Sequence, residues 1–310
     1  MQAAAIRIGT RGSPLALAQA HEVRDRLARA HGISTDNIQI HVIKTSGDQI
    51  LDQPLADIGG KGLFTKEIED ALLANGIDLA VHSMKDMQTA LPHGLKIGAV
   101  LPREDVRDAF ISLKFPNLNA MPAGSVVGTS SLRRQAQLLF VRPDLKVIGF
   151  RGNVQTRLKK LHDGIADATF LAVAGLKRLG LQDRITCAVE ITQMLPAVAQ
   201  GAIGIEIRDN DKRTTDIVAP LNHGATATAV TAERAFLARL EGSCRTPIAG
   251  LAEISNGALL FRGQVLSPDG RIAFSVERRG SMAKAYELGL EAADEILSKH
   301  DTRILFRSPV

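Results

Sequence analysis

Four times along this chain of 310 residues an apolar run of strand character stops at small or hydroxyl residues carrying an arginine or lysine, and a helix-like segment then begins. The segments are Ile6-Arg7-Ile8-Gly9-Thr10-Arg11-Gly12-Ser13-Pro14, Leu79-Ala80-Val81-His82-Ser83-Met84-Lys85-Asp86, Val126-Val127-Gly128-Thr129-Ser130-Ser131-Leu132-Arg133-Arg134 and Val147-Ile148-Gly149-Phe150-Arg151-Gly152-Asn153. Strand, tight turn and helix in alternation restrict the chain to an α/β architecture. Each turn also sets backbone N–H groups, a helix N-terminus and a fixed cation near one point, which suits a carboxylate or phosphate. Taken singly, any of these turns reads as ordinary N-capping by Ser or Thr. Recurrence with an added cation points beyond capping to an anion site assembled from several turns.

The same grammar extends along the chain. A strand at 6–9, a helix from about Pro14 to Ala30 and a strand near 38–45 lead to a helix following Gly59-Gly60-Lys61-Gly62 through about Ala74, then a strand at 77–82. Pro14 stands where a first helical residue belongs, with Ser13 placed to cap it. Near Leu101-Pro102-Arg103-Glu104-Asp105 the apolar pattern breaks into charge. A second series of similar design opens with a strand at 125–128 and continues with a helix at 131–140, a strand at 146–150, a helix at 153–163 and an apolar run at 168–173. After about His223 the pattern becomes a helix from 226 to 241, strands near 248–255, 258–266 and 271–279, and a helix from 282 to 299. Asn256-Gly257 and Pro268-Asp269-Gly270 are hairpin signals, so this part is α+β with a small antiparallel sheet.

Length supports two or three domains, each with its own core. The formal net charge is +5, but Lys and Arg are dispersed rather than gathered in a tract, and aromatics are only 4% of residues with no Trp. Small acidic ligands therefore fit better than nucleic acid. No apolar run is long enough to span a bilayer, and Arg7 and Arg11 interrupt any signal-like core, so a cytoplasmic protein without a membrane partner is expected. Two cysteines without CxxC spacing make no disulfide framework, and the eight histidines form no HExxH pattern, so no metal is expected.

Several residues could carry chemistry. Cys244 lies in a Gly/Ser/Pro loop with Arg239 and Arg245 nearby, where cations favour the nucleophilic thiolate; an inert, partly buried thiol is the alternative. Cys187 reads as structural. Asp86 ends a strand-to-helix turn, where a carboxylate could move a proton or stabilise a developing cation, or simply cap the turn or pair with Lys85. Gly59-Gly60-Lys61-Gly62 lacks the spacing of a phosphate loop and reads as a mobile glycine loop with one cation. Arg133, Arg134, Arg151, Arg157 and Arg178 fall on or just after turns, and their planar forks suit bidentate carboxylate recognition. For Arg157, beside Lys159-Lys160, a solvated helix face is the alternative.

Read together and in order, Gly9-Thr10-Arg11-Gly12-Ser13-Pro14-Leu15-Ala16, Gly59-Gly60-Lys61-Gly62-Leu63-Phe64, Val81-His82-Ser83-Met84-Lys85-Asp86, Gly128-Thr129-Ser130-Ser131-Leu132-Arg133-Arg134, Arg151-Gly152-Asn153-Val154, Ala172-Val173-Ala174-Gly175-Leu176 and Gly242-Ser243-Cys244 closely resemble the porphobilinogen deaminase (hydroxymethylbilane synthase) family over nearly the whole chain. The resemblance implies two α/β domains like the lobes of periplasmic binding proteins and a C-terminal α+β domain. Domain 1 would comprise 1–101 with 200–219, domain 2 106–196 and domain 3 223–310. The implied activity deaminates porphobilinogen, adds four such units to a dipyrromethane cofactor and releases the linear tetrapyrrole 1-hydroxymethylbilane. The resemblance also implies a monomer, with the cofactor held by Cys244 through a thioether.

By the same resemblance Asp86 would be the catalytic carboxylate. Ser13, Lys85, Asp86, Thr129, Ser131, Arg133 and Arg134 would surround the cofactor, Arg11, Gln19, Arg151, Arg157, Arg178 and Gln200 would meet the incoming substrate, and Lys61 would ride on a mobile loop. Each pyrrole brings an acetate and a propionate, which an arginine array answers at about 1.5–3 kcal/mol per charge-assisted bond. Met87-Gln88 departs from the small apolar residue and proline that commonly follow the family's Lys-Asp, which bears on the rigidity of that turn. A non-catalytic two-lobed carboxylate-binding or sensor protein is the competing expectation, and it would need neither Cys244 nor Asp86.

Overall fold

A computed structural model describes residues 5–49, 64–242 and 246–299. The chain begins with β1 (Ile6–Thr10), α1 (Pro14–His31), β2 (Ile38–Val42), the short α2 (Ser46–Gln49), α3 (Lys66–Leu73), β3 (Leu79–Ser83) and β4 (Leu95–Val100). It continues through β5 (Asp108–Ser112), β6 (Val126–Gly128), α4 (Leu132–Val141), β7 (Lys146–Ile148), α5 (Val154–His162), β8 (Ala168–Ala172), α6 (Val173–Arg178) and β9 (Cys187–Ala188). Then follow β10 (Ile203–Arg208), α7 (Lys212–Val218), α8 (Gly224–Arg239), β11 (Ile248–Ser255), β12 (Ala258–Leu266), β13 (Ala273–Ser281) and α9 (Ala285–Lys299). Two compact units emerge, one of residues 1–104 and 202–227, the other of 105–201 and 228–310.

In the first unit the strand order is β2-β1-β3-β10-β4, with β1 parallel to β2 and β3, and β10 antiparallel to both β3 and β4. In the second it is β7-β6-β8-β5-β9, with β6 parallel to β7 and β8, and β5 antiparallel to β8 and β9. Both five-stranded sheets thus follow one plan, and in each the antiparallel strand is the first laid down after the chain crosses from the other unit. The second unit also holds the antiparallel sheet β11-β12-β13, whose first hairpin turns at Asn256 (φ 51°) and Gly257 (φ 75°), the left-handed pair that a two-residue turn demands.

The inner parallel strands β3 and β8 are buried on both faces, as helices on either side require. Leu79 and Val81 of β3 pack against Ala20, Val23 and Leu27 of α1, while Ala80 turns the other way into a cluster with Ile68 and Leu72 of α3. Phe110, Val127, Leu138 and Phe170 form part of the core of the second α/β sheet, and Phe236, Phe261, Val265 and Leu288 part of the core that α8 and α9 share with the three-stranded sheet.

The fold class expected from sequence is observed, with differences in detail. The second series opens at β5, not at 125; β4, β9, β10 and α7 likewise had no counterpart in the sequence reading. β5 was hidden because its first residue, Asp108, is a charged group inside a central strand and 0% exposed. Arg107 and Asp108 continue the break into charge read at Leu101–Asp105, which masks the start of the strand. The strand expected near 38–45 ends at Val42, and that expected from 271 starts at Ala273.

Candidate active site

In the first unit, α1 and the Met84–Asp86 turn begin where β1 and β3 end, and they surround a pocket lined by Arg11, Ser13, Gln19, Phe64, Thr65, His82, Ser83, Asp86 and Met87 among others. Carboxyl ends of parallel strands are the ligand-binding edge of such sheets. Pro14 occupies the first turn of α1, and Ser13 Oγ accepts from Ala16 N at 3.3 Å, so the capping expected of Ser13 is present at the pocket's edge. The Arg11 guanidinium stands 4.2 Å from the centroid of the Phe64 ring, a cation–π contact that holds it over the pocket. Gln19, 3% exposed, donates from Nε2 to Ser83 Oγ at 2.8 Å and ties α1 to the end of β3. Asp86 closes the Met84–Asp86 turn and is exposed; among the described residues its carboxylate enters no hydrogen bond or ion pair. Pairing with Lys85 is not its fate. Lys85 itself is half-buried.

In the second unit the sequence-expected residues divide. Arg133 and Arg134 turn inward onto Asp108: Arg133 Nη1 donates to Oδ2 at 2.8 Å, and Arg134 Nη2 and Nε donate to Oδ1 at 2.7 and 3.1 Å. Backbone carbonyls of Leu195 and Phe170 take further bonds from the pair, and Gln200 Nε2 donates to Asp108 Oδ1 at 3.0 Å and to Val106 O at 2.7 Å. Burial alone would push the Asp108 carboxyl up, but the two guanidiniums override it and hold it far below the usual carboxylate range. Burial pushes Arg133 down, against Asp108. Two cations share one anion, so the cluster keeps a surplus positive charge, and Arg133 Nε is buried with no hydrogen-bond partner.

Ser131 Oγ caps α4 by accepting from Arg134 N at 3.4 Å, and Thr129 Oγ1 accepts from Ser131 N at 3.2 Å. Beyond β7, Arg151 is half-buried with Nη1 lacking a hydrogen-bond partner, and Arg157 Nε donates back to Gly152 O at 2.8 Å. Arg157 is therefore fixed to its turn rather than trailing from a solvated face. Arg178, at the end of α6, donates from Nη2 to Gly201 O at 2.9 Å. Cys187 is half-buried, and burial pushes its thiol up. Cys244 and Lys61 lie outside the described residues.

Sequence reasoning missed Asp108, the counter-ion that organises both buried arginines, as well as a buried pair of His82 and Glu206 on the first unit's sheet. The former had a faint signal, one acidic residue at the head of the apolar run Ala109-Phe110-Ile111. Among the described residues no group of three or more His, Cys, Asp and Glu is arranged to hold a metal ion, and no helix is long and apolar enough to cross a membrane.

Two sheets of one plan, with cation-bearing turns at their carboxyl ends and, in the pocket of the first, a carboxylate without a partner among the described residues, define an α/β protein of the two-lobed class. Comparison with known families narrows this class. Residues 6–216 match the family model described as porphobilinogen deaminase, dipyromethane cofactor binding domain, and residues 227–298 match the porphobilinogen deaminase C-terminal domain. The chain belongs to the porphobilinogen deaminase family. It is 61% identical over 291 residues to the porphobilinogen deaminase of Paracoccus denitrificans, covering 94% of this chain and 93% of that protein. To the chloroplastic porphobilinogen deaminase of Pisum sativum it is 57% identical over 302 residues, covering 96% of this chain and 82% of that one. Among solved structures, the methionine binding protein MetQ shows a TM-score of 0.44 at 12% identity, covering 70% of this chain and 89% of that chain.

Proposed function

We propose that this chain deaminates porphobilinogen, joins four of the resulting rings head to tail on a dipyrromethane primer and releases the linear tetrapyrrole 1-hydroxymethylbilane. Family membership supports the reaction, and the observation that carries its chemistry is the unpaired Asp86 carboxylate in a pocket with Arg11. The competing reading, a non-catalytic carboxylate-binding protein, is not favoured by that membership.

The residues present fit an acidic pyrrole cofactor. Arg133 Nε and Arg151 Nη1 are buried donors that find no acceptor among the described residues, and the Arg133–Arg134–Asp108 cluster carries a surplus positive charge. Buried donors of this kind call for an external acceptor. When bound, the dipyrromethane supplies the nucleophilic α-carbon from which the chain of rings grows. In this reading Cys244 holds it through a thioether, and Ser13, Lys85, Asp86, Thr129, Ser131, Arg133 and Arg134 receive its carboxylates and ring N–H groups. Arg11, Gln19, Arg151, Arg157, Arg178 and Gln200 orient the carboxylates of the incoming ring.

Asp86 works electrostatically. As ammonia leaves, positive charge develops on the pyrrole, and the Asp86 carboxylate already in place, with no partner among the described residues to be displaced, lowers the energy of that state. We further read 1–101 with 200–219, 106–196 and 223–310 as three domains of a monomeric cytoplasmic enzyme without a nucleic-acid or membrane partner.

Intact mass of the purified chain alongside Cys244→Ala tests the reading. A covalent excess of two linked pyrrole rings, absent from the variant, is the expected result. An adduct that persists in Cys244→Ala would move the attachment to another residue such as Cys187, and a wild-type chain that neither carries the adduct nor gains it with porphobilinogen would overturn the reading.

A further inference from the structure

Beneath the Asp86 pocket lies a group of ionisable side chains that the roles above do not use. Glu206 of β10 stands opposite Ala80 of β3 and Gly204 opposite His82, so His82 and Glu206 share one face of the sheet. That is the α3 face, since Ala80 packs with Ile68 and Leu72. His82 Nε2 and Glu206 Oε2 are 3.0 Å apart, with the two side chains 5% and 0% exposed. Thr65, at the head of α3, and Glu69, one turn further, are 2% and 4% exposed. Among the described residues, Glu206 Oε1, Glu69 Oε1 and Thr65 Oγ1 are buried without a hydrogen-bond partner.

Burying two carboxyls and an imidazole beside an aliphatic cluster is expensive, and packing gains nothing from it. Burial pushes the Glu69 carboxyl up, and Glu206 adds to this against the opposing effects of Thr65 and His82. The group opens to ligand where Thr65 and His82 line the same pocket as Asp86. With Nε2–H donating to the Glu206 carboxylate, the remaining ring nitrogen, Nδ1, carries a lone pair, and among the described residues it has no hydrogen bond.

We propose that His82, held in this tautomer by Glu206, is the base that removes the α-proton of the acceptor ring each time a new ring is joined. The proposal rests on the deaminase reading. Cleavage of the C–N bond of the protonated aminomethyl group (–CH2NH3+) releases ammonia and leaves the incoming ring electrophilic at its methylene carbon. The acceptor's α-carbon forms a C–C bond to that methylene; its C–H bond then breaks, the electron pair returns to the acceptor ring and the proton passes to His82 Nδ1. The imidazolium stays paired with Glu206 until the freed ammonia departs with the proton as ammonium, so no co-reactant is needed. Asp86 cannot easily serve in its place, because a carboxylate that takes up the proton surrenders the charge that stabilises the cationic ring.

His82→Gln keeps a donor for Glu206 but accepts no proton, and it is compared with wild type in single-turnover addition of a second ring, the first having been added from porphobilinogen carrying hydrogen or deuterium at its free α-position so that the label sits on the acceptor carbon. Cofactor loading is checked by intact mass. The variant should add rings about 100-fold more slowly or worse, and a primary isotope effect negligible in wild type should appear. Independently of turnover and of any variant's folding, nitrogen-15 NMR of the wild-type holoenzyme should show His82 protonated at Nε2 and bare at Nδ1. A wild-type rate in His82→Gln, a slowing equal for both isotopes, or a resting proton on Nδ1 would overturn the proposal. A wild-type chain that does not consume porphobilinogen would instead overturn the reading on which it stands.

Discussion

Two aspartates, both next to basic residues in sequence, end in opposite environments. Asp86 is exposed and unpartnered at the end of its turn, whereas Asp108 is fully buried and holds Arg133, Arg134 and Gln200. Asp86→Asn keeps the shape and removes the charge, so turnover should fall by about 10²–10³ while intact mass still shows the cofactor; near-normal turnover would remove Asp86 from the mechanism. Asp108→Asn should act on stability, by about 3–5 kcal/mol in urea unfolding, because it leaves two buried guanidiniums without their counter-ion. The sign of its pH dependence follows from a folded-state pKa depressed below that of the unfolded chain. The contribution of Asp108 is present in full above the ordinary carboxylate value near pH ~4 and is lost as pH falls from there toward the folded value. Wild type should therefore lose stability in acid, and Asp108→Asn should flatten that limb.

At the level of elements, the strand-to-helix turns were legible because their signals are local. Ser13, Ser131 and Asn153 each accept from a backbone N–H in the first turn of the following helix, as their residue types and positions suggest. What a neighbouring strand packs against such a turn is not local. A Cβ on Gly128 would lie 2.4 Å from Cδ2 of the buried Phe150 ring, whereas one on Gly149 would meet nothing within 4 Å. Gly128→Ala should thus cost about 1–3 kcal/mol and Gly149→Ala no more than about 0.5 kcal/mol, measured by urea unfolding of the two variants side by side. Equal effects would mean that Phe150 does not pack on β6 as described.

On the scale of the whole molecule, the chain crosses between its units more than once, and the segment before the return at 201–202 is held by a buried side chain. Glu233 of α8, 0% exposed, accepts from Ala199 N at 2.5 Å and from Ala252 N at 2.8 Å. Ala199 takes φ 59°, a left-handed conformation unusual for a residue with a side chain, directly before Gln200. Glu233→Ala would orphan two buried N–H groups and should destabilise by about 1–3 kcal/mol for each, read as a lowered denaturant midpoint; an unchanged midpoint would show that the clasp contributes nothing.

Local order was largely readable from the amino-acid sequence by itself: the α/β alternation, the caps, the Asn256-Gly257 hairpin and the turns that carry Arg11, Asp86, Ser131 and Arg151 all depend on neighbours within a few residues. Tertiary structure alone decided which strands of the two five-stranded sheets are antiparallel and that Arg133 and Arg134 face inward to Asp108, while the return of 200–219 to the first domain came from the family resemblance and not from local pattern. Tertiary structure alone joined His82 to Glu206, 124 residues away. The reason is physical. Capping and turn preferences act over one helical turn, whereas the neutralisation of a buried charge depends on a partner that only the folded chain brings within hydrogen-bond reach.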